Sequence, residues 1–384
     1  MKTQLKNILF NFLFFIGLFC FTSYVPAISM NIKIGLITSD QNIKIGSDTN
    51  SRLINIFTNK EIIKIRKMET YLIKTVNGVI SITNKLTDAS IGSFTGPIEL
   101  IPDKGLVFCN DRWYRGRLII FTNGDKKNIT VANNVDIEDY LLSVVPSEIP
   151  NKWHKEALKA QAVAARSYSY GYMGRRKSKG YDLESSVEDQ VYLGISSEKK
   201  STTNAVKETE GIILLGKDGK PLIALYHSSG GGYTDSIENL WNEKPSEHIK
   251  PRPDYDDNSP HFQWYRNYSK NEINNLLKDL NIGEIKDIIP ISKSVANRIM
   301  WLNVIGIKGQ KKLRGEELRR ALKLPSSKFN LKIEKDVVKF AGRGYGHGLG
   351  LSQWGSKALA EKGLTYEQIL THYYSGVKIV KITK

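Results

Sequence analysis

The chemistry legible in this sequence begins with one glutamate. In LLSVVPSEIP, residues 141–150, Glu148 lies between Pro146 and Pro150, with Val144, Val145, Ile149 and Trp153 as apolar neighbours. Such neighbours desolvate a carboxyl and raise its pKa, which suits a general acid working near neutral pH. The plainer reading is an acid set ahead of a helix start, where it partners the helix dipole. A second stretch, ALYHSSGGGYTDS at 224–236, puts three glycines after His227, Ser228 and Ser229. That is the composition of an oxyanion loop and equally of a flexible turn. No G-x-S-x-G elbow accompanies it, so a serine hydrolase is not indicated. A third, GRGYGHGLGLSQWG at 342–355, has glycine at alternate positions and presents His347, Gln353 and Trp354. It matches neither dinucleotide nor phosphate-loop spacing. Its small residues suit close packing against a sugar or another loop. The histidines His154, His227, His248, His261, His347 and His372 show no metal-ligand spacing, so a metal site would have to be assembled from distant loops.

These residues need elements to hold them. WHKEALKAQAVAARSYSYGYM, residues 153–173, is Ala-rich and free of proline, which predicts a long helix opened by Pro150-Asn151. Ala157, Ala160, Ala164 and Ala165 make one side thin, and Lys159 and Arg166 lie nearly in line on the other surface. Ahead of it, residues 30–100 alternate in short runs such as NIKIGLI and GVISIT, and Asn123-Gly124-Asp125 marks a hairpin turn. Residues 211–226 read as a hairpin around Asp218-Gly219, and 244–261 as a polar, proline-rich surface loop. Two helical stretches, NEINNLLKDL and GEELRRALKL, bracket the strand-like IMWLNVIGI. The fold class is α+β, with the Ala-rich helix at its centre.

The chain is 384 residues long with a formal charge of +17, enough length for one or two cores and a bias towards polyanionic partners. A Lys-, Asn- and Ile-rich composition explains part of that excess. Residues 1–27 combine Lys2, Lys6, an apolar run and Val25-Pro26-Ala27, the pattern of an export signal, with an uncleaved anchor as the alternative. Lipid attachment at Cys20 is disfavoured by the bulky Phe19. Without that segment only Cys109 remains, so no disulfide forms. A nucleic-acid partner conflicts with export and finds no binding module.

The run Tyr140 to Tyr170, DQVYLG at 189–194, ALYHSSGGGYT, RGEELRRALKLPSSKF and the closing GRGYGHGLGLSQWGSKALAEKGLTYEQILTHYYSG together closely resemble the SpoIID/LytB family, the stage II sporulation protein D-like peptidoglycan enzymes. The resemblance spans residues 105–384 in the same order. It implies a SpoIID-like core with a substrate groove over 105–384, with 245–330 as a smaller subdomain, and leaves 31–104 as a β-rich accessory region. It further implies an exported lytic transglycosylase that cuts MurNAc–GlcNAc bonds of peptide-stripped glycan strands. The alternative is a non-enzymatic wall-binding enhancer of an amidase. Carried over residue by residue, Glu148 is the catalytic acid, Lys159, Arg166, His227, Ser228, Ser229 and Thr234 line the groove, and His347 and Gln353 join them. Arg166 has a structural alternative, pairing with a buried carboxylate behind the helix. Some members have cysteines near the D-Q-V-Y motif where this chain has Val187, Glu188 and Asp189, so no zinc and no other cofactor is expected. Glu138, Asp139 and Glu156 lie close to Glu148 in sequence and are expected to tolerate amide substitution better.

Overall fold

The computed structural model describes residues 30–124, 126–241 and 243–382. The export segment read over residues 1–27 lies outside them, as does Asp125 of the hairpin turn.

Period-two runs place alternate isoleucines inward, so Ile43, Ile45, Ile80 and Ile82 are all buried. They build two sheets. One has seven strands in the order Leu183–Glu184, Asn31–Ser39, Ile129–Asp136, Arg117–Thr122, Ile98–Pro102, Ser51–Asn55 and Lys60–Ile65. Its neighbours are antiparallel except for the short parallel pairing of Ile34 and Gly35 with Leu183 and Glu184. The other has six, in the order Arg112–Tyr114, Val107–Cys109, Ile43–Ser47, Thr70–Val76, Val79–Asn84 and Ser90–Phe94. The inward faces of both join one hydrophobic cluster with the helices that follow. The division read between residues 104 and 105 falls inside these sheets, since Asn31–Ser39 pairs with Ile129–Asp136 and Ile43–Ser47 with Val107–Cys109. Residues 31–104 are thus part of the scaffold beneath the site.

The strand Ile129–Asp136 runs directly into helix α1, Ile137–Glu148, whose first turn is capped by the Asp136 carboxylate accepting from the Glu138 N–H at 2.8 Å. Here the structure corrects the sequence reading. Glu148 does not sit at the start of the central helix; it is the last residue of an earlier one, which passes through Pro146 and closes on the Ile149 N–H bond to the Val145 carbonyl. Pro150 and Asn151 belong to the turn between helices. The Ala-rich helix α2 spans Lys155–Gly171, and His154 caps it. Its alanines Ala157, Ala160, Ala164 and Ala165 are fully buried, so α1, a short helix α3 (Lys200–Glu208) and the C-terminal helices Gln353–Glu361 and Tyr366–Tyr373 all pack closely on it.

The turn read around Asp218-Gly219 is present, closed by the Gly216 N–H to the Lys220 carbonyl at 2.9 Å and the Leu222 N–H to the Leu214 carbonyl at 2.8 Å, with Leu215 bridging Pro221. The hairpin is short, and Ile212–Leu215 takes the C-terminal strand Lys378–Lys381 as its sheet partner. Residues 263–343 form a second lobe of two three-stranded sheets with the expected helices, Lys270–Leu276 and Gly315–Ala321. It has its own core around Trp264, Leu302 and Phe340. This lobe leaves and rejoins the first through two adjacent short strands, Tyr226–His227 and Leu351–Ser352, which run parallel.

Candidate active site

Glu148 occupies the end of α1, where the negative pole of the helix dipole adds to the cost of a carboxylate. Its Oε1 accepts the Val191 N–H at 2.8 Å, and Tyr226 hydrogen-bonds the same carboxyl. Desolvation outweighs both, pushing the Glu148 pKa from 4.5 up to about 7. The group therefore holds its proton near neutrality and can still release it.

The groups that grip Glu148 are themselves fixed. Gln190 donates to the Tyr226 hydroxyl at 3.1 Å and to the Ala165 carbonyl at 3.3 Å, and its own oxygen accepts from Ser169 at 2.8 Å and Tyr140 at 3.2 Å. Gln190 is fully buried, as is Tyr140, so each polar atom is matched. Burial and the nearby Glu148 charge raise the Tyr226 pKa well above its usual 10, keeping the phenol a donor. The D-Q-V-Y run thus divides its work. Asp189 bonds Arg175 at 2.7 Å and Arg176 at 2.6 Å, Gln190 orients Tyr226, and the Val191 N–H meets Glu148. The Tyr192 hydroxyl closes on Asn133 at 2.8 Å.

Other sequence-read residues assemble nearby. The Trp354 N–H donates to the Ser228 carbonyl at 3.0 Å, and the Trp354 ring meets Trp153 edge-on at 4.8 Å. Gln353 donates to Gln161 of α2 at 3.3 Å. Because Ser228 directly follows the strand Tyr226–His227, the structure brings Glu148, Tyr226, Ser228, Gln353, Trp354 and Trp153 to one region. Two partly exposed indoles beside carboxamides suit the faces and hydroxyls of a sugar.

Lys159 and Arg166 are not in that region. Gln161, Ala165 and Ser169 mark the side of α2 that faces Glu148, and both cations lie roughly 140–160° round the helix from Gln161. Lys159 pairs with Glu208 at 2.7 Å and Glu156 at 3.4 Å. Arg166 is fully buried and grips Glu138 at 2.8 and 2.7 Å, with further bonds to the Ile212 and Val206 carbonyls. It therefore has the structural duty, and Glu138 is no neutral control. Glu156, likewise, accepts the Tyr366 N–H at 2.9 Å.

The glycine loops bind protein, not an oxyanion. The N–H groups of Gly230, Gly231 and Gly232 all donate to the buried carboxylates of Asp254 and Asp256, at 3.0, 2.7 and 2.8 Å. Ser229 gives its hydroxyl to Asp256, and the Thr234 hydroxyl accepts the Arg252 N–H at 3.0 Å. The stretch read as a surface loop therefore carries two buried acids. Burial, then the neighbouring Asp256 charge, pushes Asp254 up to about 7. The second glycine stretch zips onto the first, Ser229 and Tyr345 exchanging backbone bonds at 3.0 and 2.8 Å. Fully buried Arg298 ties them together, donating to the Gly230 and Gly346 carbonyls at 3.2 and 3.3 Å. Gly348, at φ +82°, leaves room for it, since a Cβ there would sit 2.2 Å from the guanidinium carbon.

His227 and His347 lie with ring centroids 5.5 Å apart. Each uses Nδ1 on Leu349, His227 at the carbonyl and His347 accepting the N–H. Burial takes His227 well below 6.5 and His347 down to about 4, so both are neutral at pH 7. Among the described residues no three His, Cys, Asp or Glu side chains are grouped to hold a metal, and no helix is long and apolar enough to cross a membrane. Sequence reasoning missed Tyr226, Asp254, Asp256 and Arg298. Gln190 and Val191 were visible only inside a motif whose role no spacing disclosed.

Comparison with known proteins places this arrangement in a family. Residues 125–215 match the family model described as Stage II sporulation protein, which covers α1, α2 and the D-Q-V-Y run. Residues 224–350 match a domain of unknown function, DUF8618. The chain is 33% identical to the Stage II sporulation protein D of Bacillus amyloliquefaciens, over 65% of this chain and 75% of that protein. It is 30% identical to that of Bacillus subtilis, again over 65% of this chain and 75% of the relative. The Amidase enhancer of Bacillus subtilis is 27% identical over 62% of this chain and 40% of its own length. The chain belongs to the SpoIID/LytB family.

Proposed function

We propose that this chain is a peptidoglycan lytic transglycosylase with Glu148 as its only acid and base. The carrying observation is that carboxyl, raised to about 7 and aimed by the Val191 N–H and Tyr226. Protonated Glu148 gives its proton to the glycosidic oxygen as the bond from C1 of the muramic sugar breaks. The resulting carboxylate takes the proton of that sugar's own 6-hydroxyl as O6 bonds to C1, closing a 1,6-anhydro ring and restoring the acid. The nucleophile belongs to the substrate, so the second carboxylate of ordinary glycosidases is not required. Tyr226 and Val191 steady the carboxylate between the two transfers, and Trp153, Trp354, Gln353 and Ser228 hold sugars. Export through residues 1–27 belongs to the same reading, because the substrate lies outside the cytoplasm.

The test is incubation with defined glycan strands, with and without stem peptides, followed by mass spectrometry. Products should end in 1,6-anhydro-N-acetylmuramic acid, and Glu148→Gln should lower turnover by roughly 10²–10⁴-fold, as expected for loss of a general acid–base group. Reducing ends would refute the mechanism. Folded protein that cuts no strand would support the amidase-enhancing role named in the Bacillus subtilis relative.

A further inference from the structure

A cavity of about 490 Å³ opens on the second lobe, away from Glu148, and Tyr265, Lys293, Asn297, Lys328, Asn330 and Arg343 are among its lining residues. No carboxylate lines it. The Lys293 ammonium donates to Asn330 at 2.8 Å, and the Arg343 guanidinium lies 5.3 Å from the Phe262 ring. The Lys328 ammonium donates one N–H to the Gly231 carbonyl at 2.7 Å. Burial, then the charge of Arg298, brings its pKa down to about 8 against the opposing pull of the Asp256 and Asp235 carboxylates. Tyr265 is 69% exposed, far more than an aromatic ring with only a packing role requires.

Lys328 is turned to Gly231 and feels the Asp256 and Asp235 carboxylates behind the cavity wall, whereas Lys293 and Arg343 line the cavity with no acid among its lining residues and gain from an incoming oxyanion. Carboxamides and an open phenol ring supply the hydrogen bonds and the face that a sugar accepts. We infer that this cavity is a second, non-catalytic binding site for an anionic saccharide, a glycan segment bearing a carboxylate or phosphate. The saccharide half rests on the glycan-cleaving function proposed above; the anion half rests on the cavity alone. Two sources offer that chemistry. Cleaving the amide that joins a stem peptide to the lactyl group frees one carboxylate per disaccharide, and phosphate-linked polymers carry one charge per repeat. Lys328 also holds Gly231, and so joins the cavity to the glycine loop that begins beside Tyr226.

The inference is tested by calorimetric titration of the full chain carrying Glu148→Gln, which binds strands without cutting them. The probes are a peptide-stripped tetrasaccharide, the same compound with its carboxylates converted to methylamides, and poly(glycerol phosphate). Lys293→Gln with Arg343→Gln should weaken an anionic probe about fivefold or more, as loss of paired charges predicts, and leave the methylamide within twofold. The effect should shrink at high salt, because exposed charges are screened over roughly 8 Å at physiological ionic strength. A charge-matched control, Lys60→Gln with Lys64→Gln on the exposed outer strand, should change neither. Which anionic probe responds identifies the source. Equal losses in cavity and control variants, equal losses with the methylamide, or no binding of either anionic probe overturns the inference. Thermal melts of both double variants establish folding. Failure of the transglycosylase reading would appear separately, as missing anhydro products from protein with Glu148 intact.

Discussion

Replacing Glu148 by glutamine should stabilise the protein, and by an amount that depends on pH. A carboxyl whose pKa rises from 4.5 to about 7 on folding holds its proton more tightly in the native state. The native protein therefore binds more protons across that window, and stability falls as pH rises through it. With those values the penalty is about 0.8 kcal/mol at pH 5 and about 3.4 kcal/mol at pH 8. Glutamine keeps the shape and an oxygen for the Val191 N–H but carries no charge to desolvate. Urea unfolding of wild type and Glu148→Gln at pH 5, 6, 7 and 8 should show the difference moving by about 2.5 kcal/mol in favour of the variant. Asp254 titrates over the same range with the same sign, but it is present in both proteins and cancels. A difference that stays flat from pH 5 to pH 8 would mean that Glu148 is not desolvated, and the case for it as a general acid would fail with it.

Tyr226→Phe removes one of the two bonds that lower the Glu148 pKa, so the alkaline limb of the pH–rate profile should move up by about one to two units; an unmoved limb would detach Tyr226 from the acid. Arg166→Met strands the Glu138 carboxylate and should cost about 3–5 kcal/mol in denaturant unfolding, with a smaller loss when Glu138→Leu is added; a variant of wild-type stability would put Arg166 back among candidate groove residues. A strong chelator should leave strand cleavage unchanged, whereas one zinc per chain by elemental analysis, lost together with activity, would contradict the metal-free reading.

Glu148 was legible because its signal is local: flanking prolines and apolar neighbours in a ten-residue run. The element that carries it was not. Pro146 discourages a helix reading, yet it sits in the last turn, where its missing N–H frees a single carbonyl. Lys159 and Arg166 were correctly aligned by helical pitch, but pitch does not say which side of a helix meets the site. Asp254 and Asp256 read as solvent-facing because they lie in a polar, proline-rich segment. Their roles come from Gly230–Gly232, more than twenty residues earlier, and no local pattern records that pairing. The first glycine loop read as an oxyanion loop or a flexible turn, and its N–H groups instead meet the Asp254 and Asp256 carboxylates; the second read as packing on a sugar or another loop, and Tyr345 pairs with Ser229 of the first. The α+β class and the alternating strands followed from periodicity, which survives whatever the partners are.

The parallel seam between Tyr226–His227 and Leu351–Ser352 bears on how such chains can change over descent. Neighbouring parallel strands cannot be joined by a hairpin turn; the link between them needs a crossover of about a dozen residues or more. Above that minimum, each doubling in length costs only about 0.6 kcal/mol in closure entropy. A lineage that keeps Tyr226 beside Leu351 can lengthen, shorten or exchange what lies between them without disturbing Glu148, but it can never trim that insertion away entirely. Residues 228–262 alone exceed that minimum, so the seam requires a crossover but leaves the second lobe replaceable, in presence as well as in content.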